Sequence, residues 1–180
     1  MNEKPCVDTL ILGIGNILLS DEGVGVHVIR VIADRLARHD HIRVIDGGTL
    51  SFTLLGDVQY CANLIVVDAA ELQAEPGEVM CFEGPAMDRY LRAGRKSVHE
   101  IGLADLLDMA RLCNHLPANR ALIGIQPAST GWGEQPTPAV AAAVPEAAAL
   151  AYSLLNEWDA ESDHPSTQPN PYRNPRNAYH

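Results

Sequence analysis

Leu10 to Gly25 reads LILGIGNILLSDEGVG. The apolar run Leu10-Ile11-Leu12 stops at Gly13-Ile14-Gly15-Asn16; a second apolar patch follows, and then the acidic pair Asp21-Glu22 stands between Ser20 and Gly23. That order describes a buried strand, a tight glycine turn, a loop ending in carboxylates and the start of a helix. Beyond it Val24, Val28, Val31, Ile32 and Leu36 recur at helical spacing, with Val26 and Ile29 widening the stripe, and predict a helix to about Arg38. His27 lies off the stripe and is expected at an exposed or rim position.

The same alternation continues downstream. Ile42 to Ile45 read as a second strand ended by Asp46-Gly47-Gly48-Thr49, followed by a short helix with Phe52, Leu54 and Leu55 facing inward. Asn63 to Val67 (NLIVV) is apolar throughout, as a strand buried on both faces should be, and it runs directly into Asp68. Pro76-Gly77 marks a turn before Glu78 to Phe82, a strand expected to pair with its predecessor as a hairpin edge. Pro85 to Lys96 reads as irregular and basic, with Arg89, Arg92, Arg95 and Lys96. Ser97-x-x-Glu100 matches a capping box, behind which Leu103, Leu106, Leu107 and Ala110 share a helix face. Ala121 to Ile125 is a further strand, Gln126 to Pro138 a loop, and Ala139 to Trp158 an alanine-rich helix interrupted or restarted at Pro145. Strands alternating with helices predict a single α/β domain over 1–158, a mostly parallel sheet covered on both faces. Residues 159–180, holding four of the twelve prolines and almost nothing apolar, read as a flexible tail.

Composition narrows the function. With 23 acidic against 13 basic residues and a formal net charge of -10, a nucleic-acid binder relying on phosphate neutralisation is disfavoured. No uninterrupted apolar run reaches the roughly 18–20 residues of a bilayer span, so no membrane insertion is expected. Cys6, Cys61, Cys81 and Cys113 form no C-x-x-C pair, which speaks against a zinc ribbon or a disulfide framework. They read as buried or semi-buried thiols in a reducing, cytoplasmic setting.

In a doubly wound sheet, ligands bind beyond the carboxyl ends of the strands. Asp21-Glu22, Asp46 and Asp68 all fall there, and His99 lies in the first turn of a helix, where the helix dipole favours a neutral imidazole. Two carboxylates and an imidazole suit a borderline divalent metal with open coordination positions. Plainer roles exist for some of them: Asp46 can form a turn before Gly47-Gly48, and Asp21 can cap a helix. Asp68 is harder to dismiss, because a carboxylate following a wholly apolar strand is costly to bury without a partner. The dinucleotide pattern G-x-G-x-x-G fails at Leu18. G-x-S-x-G and H-E-x-x-H are absent, which disfavours a triad hydrolase or a zincin.

Four stretches resemble the hydrogenase maturation endopeptidases: GIGNILLSDEGVGV, the DGGT of Asp46–Thr49, the IVVDA around Asp68, and HEIGLADLL from His99. The likeness runs in order from about residue 9 to residue 157. It implies a three-layer α/β/α sandwich with a twisted, mainly parallel sheet. It further implies an aspartic- or metallo-type endopeptidase that trims the C-terminal extension from the large-subunit precursor of a nickel–iron hydrogenase. The nickel would arrive with the precursor and be contacted by Glu22, Asp68 and His99. Glu22 and Asp68 would form the essential pair, with Asp46, Gly47 and Gly48 shaping the substrate cleft. The alternatives are a flavodoxin-like nucleotide or flavin module, suggested by the glycine turn, and a chaperone that holds the same precursor without cutting it.

Overall fold

Apolar side chains on both faces of the central strands set the architecture. In the computed structural model, which describes residues 7–49, 52–93 and 98–163, the strands are β1 (Val7–Ile14), β2 (Ile42–Gly48), β3 (Cys61–Ala69), β4 (Val79–Glu83) and β5 (Asn119–Ile125). The helices are α1 (Val24–Leu36), α2 (Leu55–Gln59), α3 (Gly84–Arg92), α4 (Val98–Leu112) and α5 (Pro138–Asp163). Among the described residues the strands form one sheet in the order β2-β1-β3-β5-β4, parallel except for β4.

Side chains alternate across the sheet. Ile11, Ile65, Val67, Ile123 and Ile125 face α1 and α5, whereas Leu10, Leu12, Leu64, Val66 and Leu122 face α2, α3 and α4. All ten are fully buried, and burying each such side chain contributes about 1.5–3 kcal/mol of transfer free energy. The three-layer α/β/α sandwich is thus two cores on either side of one sheet.

Several local expectations need correction. The strand at 79–83 pairs antiparallel with β5, not with β3. The edge of β3 is already taken by β5 in parallel register, Asp68 opposite Gly124, so the returning strand can add only outside β5. The stretch from Pro85 is not irregular: α3 starts at Gly84 with Pro85 in its first turn and buries Met87 and Leu91 four residues apart. Its last turn carries Arg89 and Arg92, where the helix dipole favours cations; Arg95, Lys96 and the cap Ser97 lie outside the described residues. Phe52, expected inward, is 63% exposed, and Leu54 with Val58 covers the sheet instead. Val31 also turns out of its predicted stripe. Of the cysteines, Cys61 is buried and Cys81 half-buried, whereas Cys113, beyond the last turn of α4, is exposed; Cys6 lies outside the described residues.

The last helix is continuous through Pro145. Pro145 and Ala141, whose carbonyl the proline leaves without its helical donor, both sit on the exposed side. The opposite side, with Val140, Ala143, Ala147, Ala151, Leu154 and Trp158, is locked on the sheet. By length and composition alone α5 could cross a bilayer, but its apolar stripe is a wall of the core. It continues to Asp163, so residues 159–163 of the predicted tail are helical; the rest of that tail, from 164, lies outside the described residues.

Candidate active site

The sheet order places a topological switch between β1 and β3, since the chain leaves β1 for β2 on one side and β3 for β5 on the other. The crevice beyond the carboxyl ends of these two strands is where such folds hold ligands. Asp68 stands there, the penultimate residue of β3, and is fully buried. By alternation it shares the face of Leu64 and Val66, the face covered by α4. His99 lies in the first turn of α4; its side chain lies outside the described residues.

Glycines bring the other acid to the same crevice. β1 ends at Ile14, and Gly15 takes φ = +132°, a conformation that L side chains rarely adopt. A Cβ on Gly15 would lie 1.8 Å from the carbonyl oxygen of Glu22, so the backbone of Glu22 rests directly against the end of β1. A Cβ on Gly25 would lie 2.2 Å from the carbonyl oxygen of Val67, the residue before Asp68, and 2.4 Å from that of Ile14. The segment 22–25 is therefore wedged over the ends of both strands. Glu22, half-buried in a 3₁₀ turn (Ser20–Gly23), sits beside the strand end that carries Asp68.

Asp21 caps no helix; it serves a long-range contact. Its carboxylate is fully buried and accepts from the backbone N–H groups of Ala128 and Ser129, both at 2.9 Å, from the Thr137 N–H, and from the Thr137 hydroxyl at 3.0 Å. Four donors satisfy a carboxylate that burial would otherwise make costly. The loop after β5 is thereby tied to the Glu22 turn. On the rim the two segments form, Ile17, Leu18 and Trp132 are exposed, Trp132 to 87%.

Asp46, Gly47 and Gly48 belong to β2 and border the crevice on its other side. Exposed Asp46 accepts from the Gly48 N–H at 2.9 Å, the turn-forming role open to it from sequence. Gly48, at φ = +50°, lets the strand shift register opposite Ile14 and accepts from the Gly15 N–H at 2.7 Å. β2 and the glycine turn after β1 are thus one hydrogen-bonded unit. Half-buried His27 is pushed toward its neutral form by burial, with Arg30 adding to the effect. Among the described residues no three His, Cys, Asp or Glu side chains gather into a metal cage.

A family model described as hydrogenase maturation protease matches residues 26–154. The chain belongs to that family. Its members are proteases by name, and the curated relatives are named for hydrogenase formation or maturation. The chain is 35% identical over 150 residues to the hydrogenase expression/formation protein HupD of Bradyrhizobium diazoefficiens, covering 83% of this chain and 78% of the relative. It is 33% identical over 154 residues to the hydrogenase 2 maturation protease of Escherichia coli, covering 85% and 93%. Among solved structures, the hydrogenase maturating endopeptidase HybD of E. coli superposes with a TM-score of 0.76 at 31% identity, covering 84% of this chain and 93% of that one. The [NiFe] hydrogenase maturation protease HybD of Thermococcus kodakarensis gives 0.70 at 29% identity, covering 82% and 99%.

Sequence reasoning missed the roles of two residues that shape the crevice. Asp21 was placed with Glu22 at the carboxyl end of β1, with helix capping as its plainer role, and its clamp on the loop went unseen because its partners lie more than 100 residues away. Gln126 read as the first loop residue, yet it is buried, and its Oε1 accepts from the Leu72 N–H at 2.7 Å. It thereby fixes the chain just after Asp68. A polar residue directly after a buried strand was the signal for Gln126, as it was for Asp68.

Proposed function

We propose that the protein is an endopeptidase that removes the C-terminal extension of a nickel-loaded nickel–iron hydrogenase large-subunit precursor. The observation that carries this reading is the wedging of the Glu22 turn by Gly15 and Gly25 over the strand end bearing the fully buried Asp68. The family and its relatives support the class of reaction.

Under this reading Glu22, Asp68 and His99 contact the nickel that the precursor brings as cargo, a donor set suited to a borderline metal with open positions. The contact reports that the precursor is loaded and places the scissile peptide next to the acids, a proximity effect. Glu22, half-buried at the mouth, takes a proton from the attacking water and returns it to the leaving amide nitrogen. Asp68, out of water, holds its place at the end of β3. Asp46, Gly47 and Gly48 form the cleft wall along which the precursor's terminal segment lies, with Ile17, Leu18 and Trp132 offering apolar contact on the opposite rim. The reaction takes place in the cytoplasm.

The test is cleavage of purified precursor, loaded with nickel or free of it. The wild-type protein should cut only the loaded form. Glu22→Gln, Asp68→Asn and His99→Ala should stay folded and lose about 10²-fold or more of the rate. Wild-type cleavage by all three sinks the site. Binding without cleavage by the wild type would make the protein a chaperone of the same precursor.

A further inference from the structure

We propose that Asp21 is a positioning residue for the reaction: it clamps the loop 126–137 onto the Glu22 turn, so that acid and rim are one rigid piece. This rests on the reading of Glu22 given above.

The turn is held from two sides. On the inner side the backbone of Glu22 lies against Gly15. On the outer side the Asp21 N–H donates to the Ser129 carbonyl at 3.2 Å, the Ser20 N–H to the Gly133 carbonyl at 2.7 Å, and the Gly133 N–H to the Leu18 carbonyl at 3.0 Å. Leu19 and Gly133 form a parallel bridge. The Asp21 carboxylate then gathers Ala128, Ser129 and Thr137 from the far ends of the same loop.

The turn needs such restraint. Ser20 sits at φ = +47°, an unfavourable region for a residue with a side chain, and such backbones persist only where surrounding bonds over-determine them. Ser20 also packs closely on Gly133, where a Cβ would come 2.4 Å from its Oγ. Released from the loop, the turn can relax toward ordinary dihedrals, and the next residue but one is Glu22. None of the four side-chain bonds of Asp21 reaches the sheet or its helices' cores; all go to the loop and its exit into α5. A group whose bonds serve only to join two rim segments acts on their relative placement.

The experiment measures cleavage of nickel-loaded precursor at saturating concentration, below the melting midpoint of every variant. Asp21→Asn keeps the shape but turns an N–H₂ group toward backbone N–H donors. It should slow cleavage about a hundredfold, the cost of a misplacement near 1 Å. Asp57→Asn, which loses a buried carboxylate paired with Arg43 on the outer side of the sheet, controls for destabilisation and should cut within about twofold of wild type. Thr137→Val removes one donor and should slow cleavage about tenfold, and Thr137→Ser, which keeps the hydroxyl, should restore it. If Asp21→Asn does not fold, the Thr137 pair decides. Wild-type rates for folded Asp21→Asn and for Thr137→Val overturn the positioning role alone. Wild-type cleavage by Glu22→Gln overturns the role of Glu22 and this proposal with it, whereas failure of the wild-type protein to cut loaded precursor overturns the function reading.

Discussion

Adding one methyl group to Gly25 should displace the Glu22 turn without touching any ionisable group. Real Cβ atoms essentially never approach another atom within 3.0 Å, yet a Cβ on Gly25 would lie 2.2 Å from the Val67 oxygen and 2.4 Å from the Ile14 oxygen. Both are backbone atoms of central strands, so neither can yield as a side-chain tip would. The start of α1 must instead lift by about 1 Å, carrying the preceding 3₁₀ turn and Glu22 away from Asp68. Overpacking of this kind costs about 1–3 kcal/mol, which in a domain of this size lowers Tm by about 2–12 °C. A shift near 1 Å at the site should lower the cleavage rate about a hundredfold. Gly56→Ala is the matching control: nothing lies within 4 Å of its Cβ position, and it stands inside α2. It should be neutral or stabilise by up to about 1 kcal/mol through helix propensity. The assay pairs thermal melting with cleavage of nickel-loaded precursor below both midpoints. If Gly25→Ala melts lower yet cuts at the wild-type rate, the wedge is packing only and the reasoning fails. An unchanged Tm would refute the steric premise itself.

Two further predictions concern stability at a distance from the crevice. Asp88 is held below the usual carboxylate range, first by hydrogen bonds from Arg120 and then by the charges of Arg120, Arg111 and Arg92, against the opposing pull of burial. A carboxyl depressed in the folded state adds stability above its unfolded pKa, and that stability is lost as pH falls through its folded value. Asp88→Asn should therefore lower Tm at neutral pH by about 2–10 °C, and the gap to wild type should close below about pH 4; a gap constant across that range would contradict the ion-pair account. Asn63 is buried near the start of β3, donating to the Thr9 hydroxyl and accepting from the Asn119 amide, both at 3.0 Å. Asn63→Ala should cost about 1–3 kcal/mol with cleavage unaltered below the midpoint, and loss of cleavage in a folded variant would show unforeseen coupling to the crevice.

The parts of the fold legible in sequence are those whose cause is local. Uninterrupted apolar runs announced β1, β3 and β5, and the Leu103-Leu106-Leu107-Ala110 spacing announced the buried face of α4, all four of which are buried. What misled was short range or long range in the wrong measure. α3 spans nine residues and buries only Met87 and Leu91, too few repeats for periodicity to stand out among arginines. The partner of β4 was misread because pairing depends on which sheet edge remains free after β5 has docked. Pro145 was read as a break because a local rule charges proline with a lost bond, whereas the packed face of α5 decides the outcome.

The amino-acid sequence by itself determined the alternation of strands and helices, the acids at strand ends, and the motifs by which the family is recognised. Each depends on residues adjacent in the chain. Only the tertiary structure decided that Gly15 and Gly25 are steric seats for Glu22 and for the start of α1, and that Asp21 faces a loop more than 100 residues away. Those facts are distances between backbones that meet only once the sheet has closed. A glycine shows in sequence that something could come close; the fold alone shows what does.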